Sequence, residues 1–399
     1  MRIVHLCSTL GVEAGGLSRA VLDSVDALIR AGAEVDLIAY AGGTPDFPWK
    51  DAAPPSLHLH IVDRPPNIHI ASSAIKAALV KALTTADVLH IHGMWEPLSA
   101  SAANQARAAD IPYVCSVHGM LDPWSVRQRY WKKWLYFNMV ERRRLRHAAV
   151  IHFTAAQEAK KARRWLPRGA RESVIPCILD LSPYQDLPAR AAAHAIFPGV
   201  NPDAPWVLFL SRIHEKKGLD LLLQAIAKLA DTSAELLVAG SGDETYTHKM
   251  KALAETLGIS ARTHFVGMVS GTKKVALLRR ANMLVIPTSQ ENFGLVFPEA
   301  LCCETPVLLT EGVDIHQEIL EADAGLLIRR DPLHIAAQIE WLLHRPEEAL
   351  RRGRQGRSWV LRSLDPSLIA RRWMETYQNL AADQAPSTRD KLDREPASH

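Results

Sequence analysis

At 399 residues the chain is long enough for two domains of ordinary size, each with its own core. A hydrophobic fraction of 48%, a charged fraction of 23% and a net charge of +4 are those of a soluble globular protein and require no nucleic-acid partner. The cysteines at 7, 115, 177, 302 and 303 are odd in number and lack C-x-x-C spacing, and no leader or run of roughly eighteen apolar residues is present, so a reduced cytoplasmic setting is expected.

In chain order, Ile3–Cys7 reads as a strand, Leu17–Arg30 as a helix stopped at Gly32, and Glu34–Tyr40 as a strand again. Strands at Leu57–Val62, Asp87–His92, Pro112–Val117 and Ala149–Phe153 alternate with helical segments near 72–84, 96–109, 127–147 and 155–165. The pattern restarts after Pro198–Pro205, with strands at Trp206–Leu210, Glu235–Ala239, Thr263–Val266, Asn282–Ile286, Pro306–Leu309 and Gly325–Ile328. Such alternation requires parallel pairing through crossover helices, so the fold class is α/β with two Rossmann-like units. The expected division is a first domain over 1–180, a Pro- and Ala-rich linker over 181–204 and a second domain over 205–364. A last helix at 365–381 and a polar tail at 382–399, with no pattern that could pack, complete the chain. Ligands of parallel sheets gather at the carboxyl ends of the strands, and every motif below follows a strand.

The first motif is the loop Gly11–Arg19, whose glycines come too late after the strand for a dinucleotide turn and fit a flexible flap. His90 and His92 share a strand face and stand before Gly93, while His118 stands before Gly119 one strand later. No third metal ligand follows with usable spacing, so no metal site is expected. The stretch Arg127–His147 interleaves Arg127, Arg129, Lys132 and Lys133 with Tyr130, Trp131, Trp134 and Tyr136. It suits either an anionic membrane surface or a helix with its aromatic face in the core and its basic face in water.

In the second half, Arg212 ends a strand and Lys217 stands five residues on, giving S-R-x(4)-K-G. Two fixed cations at a strand end suit a diphosphate leaving group, on which negative charge grows as its bond breaks. The run Ser289–Leu309 begins where an apolar strand stops at Pro287, and Pro298 fits the first turn of the next helix. The amides of Phe293, Gly294 and Leu295 would then face an anion at the positive end of the helix dipole. Glu291 and Glu299 bracket that cradle and could accept hydrogen bonds from sugar hydroxyls; the plainer reading is a solvated loop acid and a dipole-stabilising one.

The E-x(7)-E run with its internal Phe-Gly resembles the donor motif of the retaining glycosyltransferases of family GT4, which adopt the GT-B fold of two Rossmann-like domains facing across a cleft. The resemblance covers about residues 1–380. It implies that Glu291 meets hydroxyls of the transferred sugar and Glu299 the ribose of the nucleotide. It implies further that Gly15, Gly16 and Arg19 meet the donor diphosphate and the acceptor, and that His118 contacts the transferred sugar. Arg212 and Lys217 resemble the family's diphosphate clamp, Gly240 and Gly242 its G-x-G loop, and Val266-Gly267 the segment that meets the base. Residues 116–125, S-V-H-G-M-L-D-P-W-S, resemble a bacterial subset that builds surface polysaccharide, including lipopolysaccharide. Ile175–Asp180 departs from the family's usual I-P-N-G-V-D hinge.

The resemblance thus implies a transferase using a GDP- or UDP-sugar donor as substrate, no cofactor and no metal. The acceptor would be a glycan or a polyprenyl-diphosphate-linked sugar. The enzyme would stand in the cytoplasm, peripheral to the membrane through Arg127–Arg144. A nucleotide-sugar epimerase on the same architecture, and a non-catalytic membrane-associated nucleotide-sugar-binding protein, are the alternatives.

Overall fold

The structure, a computed structural model, describes residues 1–11, 15–43, 47–49, 53–65, 71–230 and 233–384. The chain divides into two compact units. One comprises Met1–Thr154, Glu158–Ile178 and the chain from Ser367 on, and the other Leu179–Pro366 with the short stretch Ala155–Gln157.

The first unit holds β1 (Arg2–Leu6), β2 (Glu34–Tyr40), β3 (Leu57–Val62), β4 (Val88–His92), β5 (Tyr113–Ser116), β6 (Val150–Phe153) and β7 (Glu172–Val174). They form one seven-stranded sheet in the order β3-β2-β1-β4-β5-β6-β7, and each pairing is parallel. The second unit holds β8 (Trp206–Leu210), β9 (Glu235–Ala239), β10 (Thr263–Gly267), β11 (Met283–Ile286), β12 (Val307–Leu309) and β13 (Gly325–Leu327), in the order β10-β9-β8-β11-β12-β13, again parallel throughout. Runs such as Trp206–Leu210 and Met283–Ile286 are apolar at every position because helices cover both faces, and every residue in them is buried. Both sheets reverse direction once, between β1 and β4 and between β8 and β11. Loops leaving those neighbouring strands part to opposite faces and open a ligand crevice. All five cysteines are buried and unpaired. Among the described residues no helix is long and apolar enough to cross a membrane.

Three segments differ from their sequence reading. Residues 181–204 are packed rather than linking: they carry a short helix, Ala192–Ile196, and bury Ala193, Phe197 and Val200 within the second unit. Strand β7 was not expected, because Glu-Ser-Val is too short and too polar to show a period. The segment 127–147 is broken into helices Pro123–Arg127, Tyr130–Tyr136 and Arg142–His147, with a π-helical turn at Phe137–Glu141. The break falls at Arg129, whose φ of 59° is left-handed. No residue of Tyr130–Tyr136 is buried, so its aromatic side chains do not face the core. Arg144, by contrast, turns inward onto Glu141 at 2.6 Å and is withdrawn from the basic surface.

The last helix, Pro366–Gln384, belongs to the first unit, and a line of hydrogen bonds through the sheet core ties it there. His152 Nε2 stands 2.7 Å from the carbonyl of Ile175, which can only accept, so that nitrogen carries the proton. His152 Nδ1 is therefore an acceptor for the Ser116 hydroxyl at 2.6 Å. Ser116 in turn accepts from His90 Nε2 at 2.6 Å, and His90 Nδ1 accepts from the Tyr377 hydroxyl, also at 2.6 Å. One carbonyl thus sets the direction of four bonds, and each ring is neutral. Burial is the main cause that lowers His152 to about 4 and His90 well below the ordinary imidazole value.

Tyr377→Phe removes the first donor and strands a buried acceptor, so chemical denaturation at pH 7.5 should show a loss of about 1–3 kcal/mol. An unchanged midpoint would contradict the assigned chain. The same rings fix the response to acid. Their folded pKa values lie below the unfolded one, so the unfolded chain binds more protons and stability falls as pH drops below about 6.5. Denaturation midpoints should decline from pH 7 to pH 5, and a flat profile would show the imidazoles to be charged in the fold.

Candidate active site

In the second unit, the loop after β8 runs from Ser211 to Gly218. It closes in a short turn, Glu215–Lys217, in which His214 Nδ1 accepts from the amide of Lys216 at 3.1 Å. Gly218 ends the turn at φ 73°, and a Cβ there would strike the carbonyl of Pro287, just beyond β11. The amide of Ser289 donates to the Lys216 carbonyl at 2.8 Å, so the two loops beside the reversal point are stitched together.

That stitching delivers Lys217 to Glu291, with which it forms an ion pair. Lys217 is 8% exposed. Burial first, then the charges of Lys216 and Arg212, push its ammonium down to about 7, while the carboxylate of Glu291 in contact holds the proton on. Arg212 itself is exposed at the same strand end. The structure therefore brings together three of the residues singled out in the sequence.

Glycine packing holds these loops in place. A Cβ on Gly240 (φ 135°) would run into the carbonyl of Ser211, and one on Gly242 into that of Ile213. Ile213 N donates to Ser241 O at 2.8 Å, so the loop after β9 lies flush along the Arg212 loop. Gly240 and Gly242 are thus explained by this close approach, whatever they offer a ligand. Gly294 stands at φ 67°, and a Cβ there would lie 2.8 Å from Glu291 Cγ and 2.8 Å from the Phe297 ring. The loop after β12 grips Glu291 from the other side, through Glu291 N to Gly312 O at 2.8 Å and Asp314 N to Glu291 O at 3.1 Å.

The following helix is Val296–Cys302, so Pro298 is its third residue, still within the first turn. The side chain of Phe293 is buried at 4% exposure. Among the described residues the amides of Phe293, Gly294 and Leu295 donate to no backbone carbonyl, as an anion cradle needs. Glu299 is already engaged: Lys274 Nζ lies 2.7 Å from its Oε1, and the Tyr184 phenol is close enough to feel its charge. Burial and the neighbouring Glu299 charge keep Tyr184 protonated. Neither Lys274 nor Tyr184 carries a sequence signal, because each belongs to an ordinary helix or turn and reaches Glu299 only in the fold.

In the first unit, Gly15 (φ 70°) precedes the helix Gly16–Arg30, and a Cβ on Gly15 or Gly16 would meet nothing within 4 Å. Arg19 lies against Asp23 at 2.8 Å. Val12, Glu13 and Ala14, in the middle of the glycine loop, lie outside the described residues. His118 follows β5 at φ 49°. Its turn is anchored by the buried Glu158, which accepts from Gly119 N at 2.5 Å and Thr154 N at 2.6 Å.

His92 did acquire a third histidine, from a strand the spacing argument did not consider. His5 on β1 stands with His90 and His92, one ring nitrogen from each lying within 4.8 Å of the other two. His90 and His92 are stacked face to face at 4.1 Å, and His5 meets His92 edge to edge, Nδ1 to Nε2 at 2.9 Å, so the nitrogens pair with one another where a shared metal needs converging free lone pairs.

Two family models match the chain: a glycosyl transferase 4-like domain over residues 15–177, and glycosyl transferases group 1 over residues 194–359. A D-inositol 3-phosphate glycosyltransferase of Xylanimonas cellulosilytica is 28% identical over 348 residues, 80% of this chain and 81% of that protein. Among solved structures, a sucrose-phosphate synthase from Thermosynechococcus elongatus superposes with a TM-score of 0.77 at 23% identity, over 96% of this chain and 100% of that one. HepE of Anabaena in complex with UDP-glucose gives 0.75 at 18% identity, over 95% and 100%. Matches to both halves, in the order in which the two doubly wound sheets follow one another, show that this chain belongs to the GT4-type glycosyltransferases of the GT-B fold.

Proposed function

We propose that this glycosyltransferase retains anomeric configuration and moves a sugar from a UDP- or GDP-sugar to a glycan or lipid-linked acceptor, in the building of a bacterial surface polysaccharide. The observation that carries the reading is the pair of buried Lys217 and half-buried Glu291 beside Arg212. A buried ion pair is poor value as a stabiliser, since desolvation offsets its attraction. A cation and an acid held together at a strand end instead suit a ligand that is anionic on one side and rich in hydroxyls on the other.

In this reading the donor diphosphate lies against Arg212, Lys217 and the amides of Phe293, Gly294 and Leu295. The transferred sugar lies against Glu291 and His118, and the ribose against Glu299. Gly15, Gly16 and Arg19 meet the diphosphate and the acceptor from the first unit. The bond between anomeric carbon and diphosphate oxygen breaks with its electron pair going to the diphosphate, whose growing charge the cations stabilise. The acceptor oxygen bonds to the same face of the carbon, and its proton passes to the departing phosphate oxygen. No further cofactor is needed, because fixed cations do the work of a bridging metal. A cavity of about 490 Å³ in the first unit, lined by Tyr40, Arg64, Trp95 and Glu96 among others, offers aromatic faces and charged groups of the kind that hold a sugar acceptor.

The membrane belongs to the same reading. Trp131, Leu135 and Met139 are 76%, 54% and 70% exposed beside Arg129, Lys132, Arg142 and Arg143. Large apolar side chains in water among cations suit an anionic lipid surface that carries the acceptor.

Turnover tests the clamp. Arg212→Ala, and Lys217→Met paired with Glu291→Gln so that no buried charge is stranded, should each lower the rate at saturating donor about 100-fold. Full activity in either protein would reject the assigned leaving-group site. Pelleting with anionic vesicles tests the surface: the wild type should sediment at low salt and release at high salt, and Trp131→Glu with Leu135→Glu should not sediment. Absence of binding at every salt concentration would remove the membrane from the account.

A further inference from the structure

The buried imidazoles of the first unit form two separate lines. One, from Tyr377 to Ile175, ends on a carbonyl and has every proton assigned. The other has open ends: His5 Nδ1 lies 2.9 Å from His92 Nε2, and His92 Nδ1 lies 3.1 Å from His118 Nε2. His5 Nε2, at the inner end, is buried and has no partner among the described residues. His118 Nδ1, at the outer end, has none among the described residues, and His118 alone of the three is partly exposed. All three rings are neutral, since burial lowers His5 and His118 to about 3 and His92 well below its ordinary value.

Neutral imidazoles carry one proton each, so a line of three can point only one of two ways. Pointing inward, it would leave His5 with an N–H buried against no acceptor, the rarer orphan in folded proteins. Pointing outward, His5 donates to His92, His92 donates to His118, and the orphan is a bare nitrogen. The outward direction leaves the proton of His118 on Nδ1, the nitrogen that no protein group takes.

We propose that His5 and His92 are positioning residues that lock His118 in the Nδ1–H tautomer, so that it presents a hydrogen-bond donor to a hydroxyl oxygen of the transferred sugar. The donor then needs no change in protonation as the sugar moves, and its direction is set from inside the sheet. This rests on the proposed role of His118 as a sugar contact. The histidines were legible only in part: the period of two aligned His90 with His92, but the pairing of His5 with His92 comes from the β1–β4 adjacency, invisible in either strand alone.

The test is nitrogen-15 correlation spectroscopy of the full chain with labelled histidine, without substrate at pH 7.5, His118 being assigned by its loss in His118→Ala. The expected spectrum shows a protonated Nδ1 and a bare Nε2. His92→Phe should release the ring to the other tautomer and lower kcat on the order of tenfold or more, with the donor KM little changed. His92→Asn, whose amide nitrogen takes the place of Nδ1, should restore both tautomer and turnover. A wild-type His118 protonated on Nε2, or one equivalent of metal retained after dialysis, overturns the relay. Because the tautomer is read without substrate, the sugar-contact reading falls separately, if His118→Ala turns over at the wild-type rate.

Discussion

Lys217 is a buried charge and Glu291 the half-buried acid that meets it, on loops from neighbouring strands, and the ligand end of the second unit is arranged around keeping them together. Removing Glu291 would strand the buried ammonium of Lys217, a loss of up to roughly 3–5 kcal/mol. Hence Gly218 lies tight against the Pro287 carbonyl, Gly294 leaves room for Glu291, and the amides of Ser289 and Glu291 are each tied to an adjoining loop. A packed apolar pair would hold two loops at lower cost. The charge is kept where it can meet a ligand, and the Lys274–Glu299 pair repeats the arrangement on the helix that follows.

The first unit solves the same geometric problem with different chemistry. Its sheet also reverses beside its first strand, and again polar side chains from adjacent strands meet at the carboxyl ends. Here they are neutral imidazoles, and direction rather than charge is what the arrangement fixes. A carbonyl at Ile175 sets one line, and the absence of any acceptor at His5 sets the other. In the proposed transfer, cations at the leaving group and a fixed donor at the sugar would be complementary needs. They fall naturally on two sheets whose neighbouring-strand loops can carry either kind of group.

How much was legible follows from the range of each signal. Strands such as Trp206–Leu210 were readable because burial on both faces demands apolar residues at every position. Arg212, Lys217, Glu291 and Glu299 were readable as candidates because each follows a strand at a spacing that suits its chemistry. That Lys217 would touch Glu291 was not, since it depends on β8 lying next to β11. Lys274, Tyr184, Glu158 and His5 were missed for the same reason: each acts through a residue distant in sequence. The broken helix escaped because a single left-handed residue, Arg129, leaves no trace in a pattern of basic and aromatic side chains.

The central claim is that fixed cations, Arg212 and Lys217, do for the departing diphosphate what a bridging metal does in other transferases. Its most direct test is the acceptor-dependent release of nucleoside diphosphate from UDP- and GDP-sugars, followed in excess EDTA and in magnesium. The account predicts equal rates in the two conditions. A complete loss in EDTA that magnesium restores would contradict it and assign the leaving group to a metal.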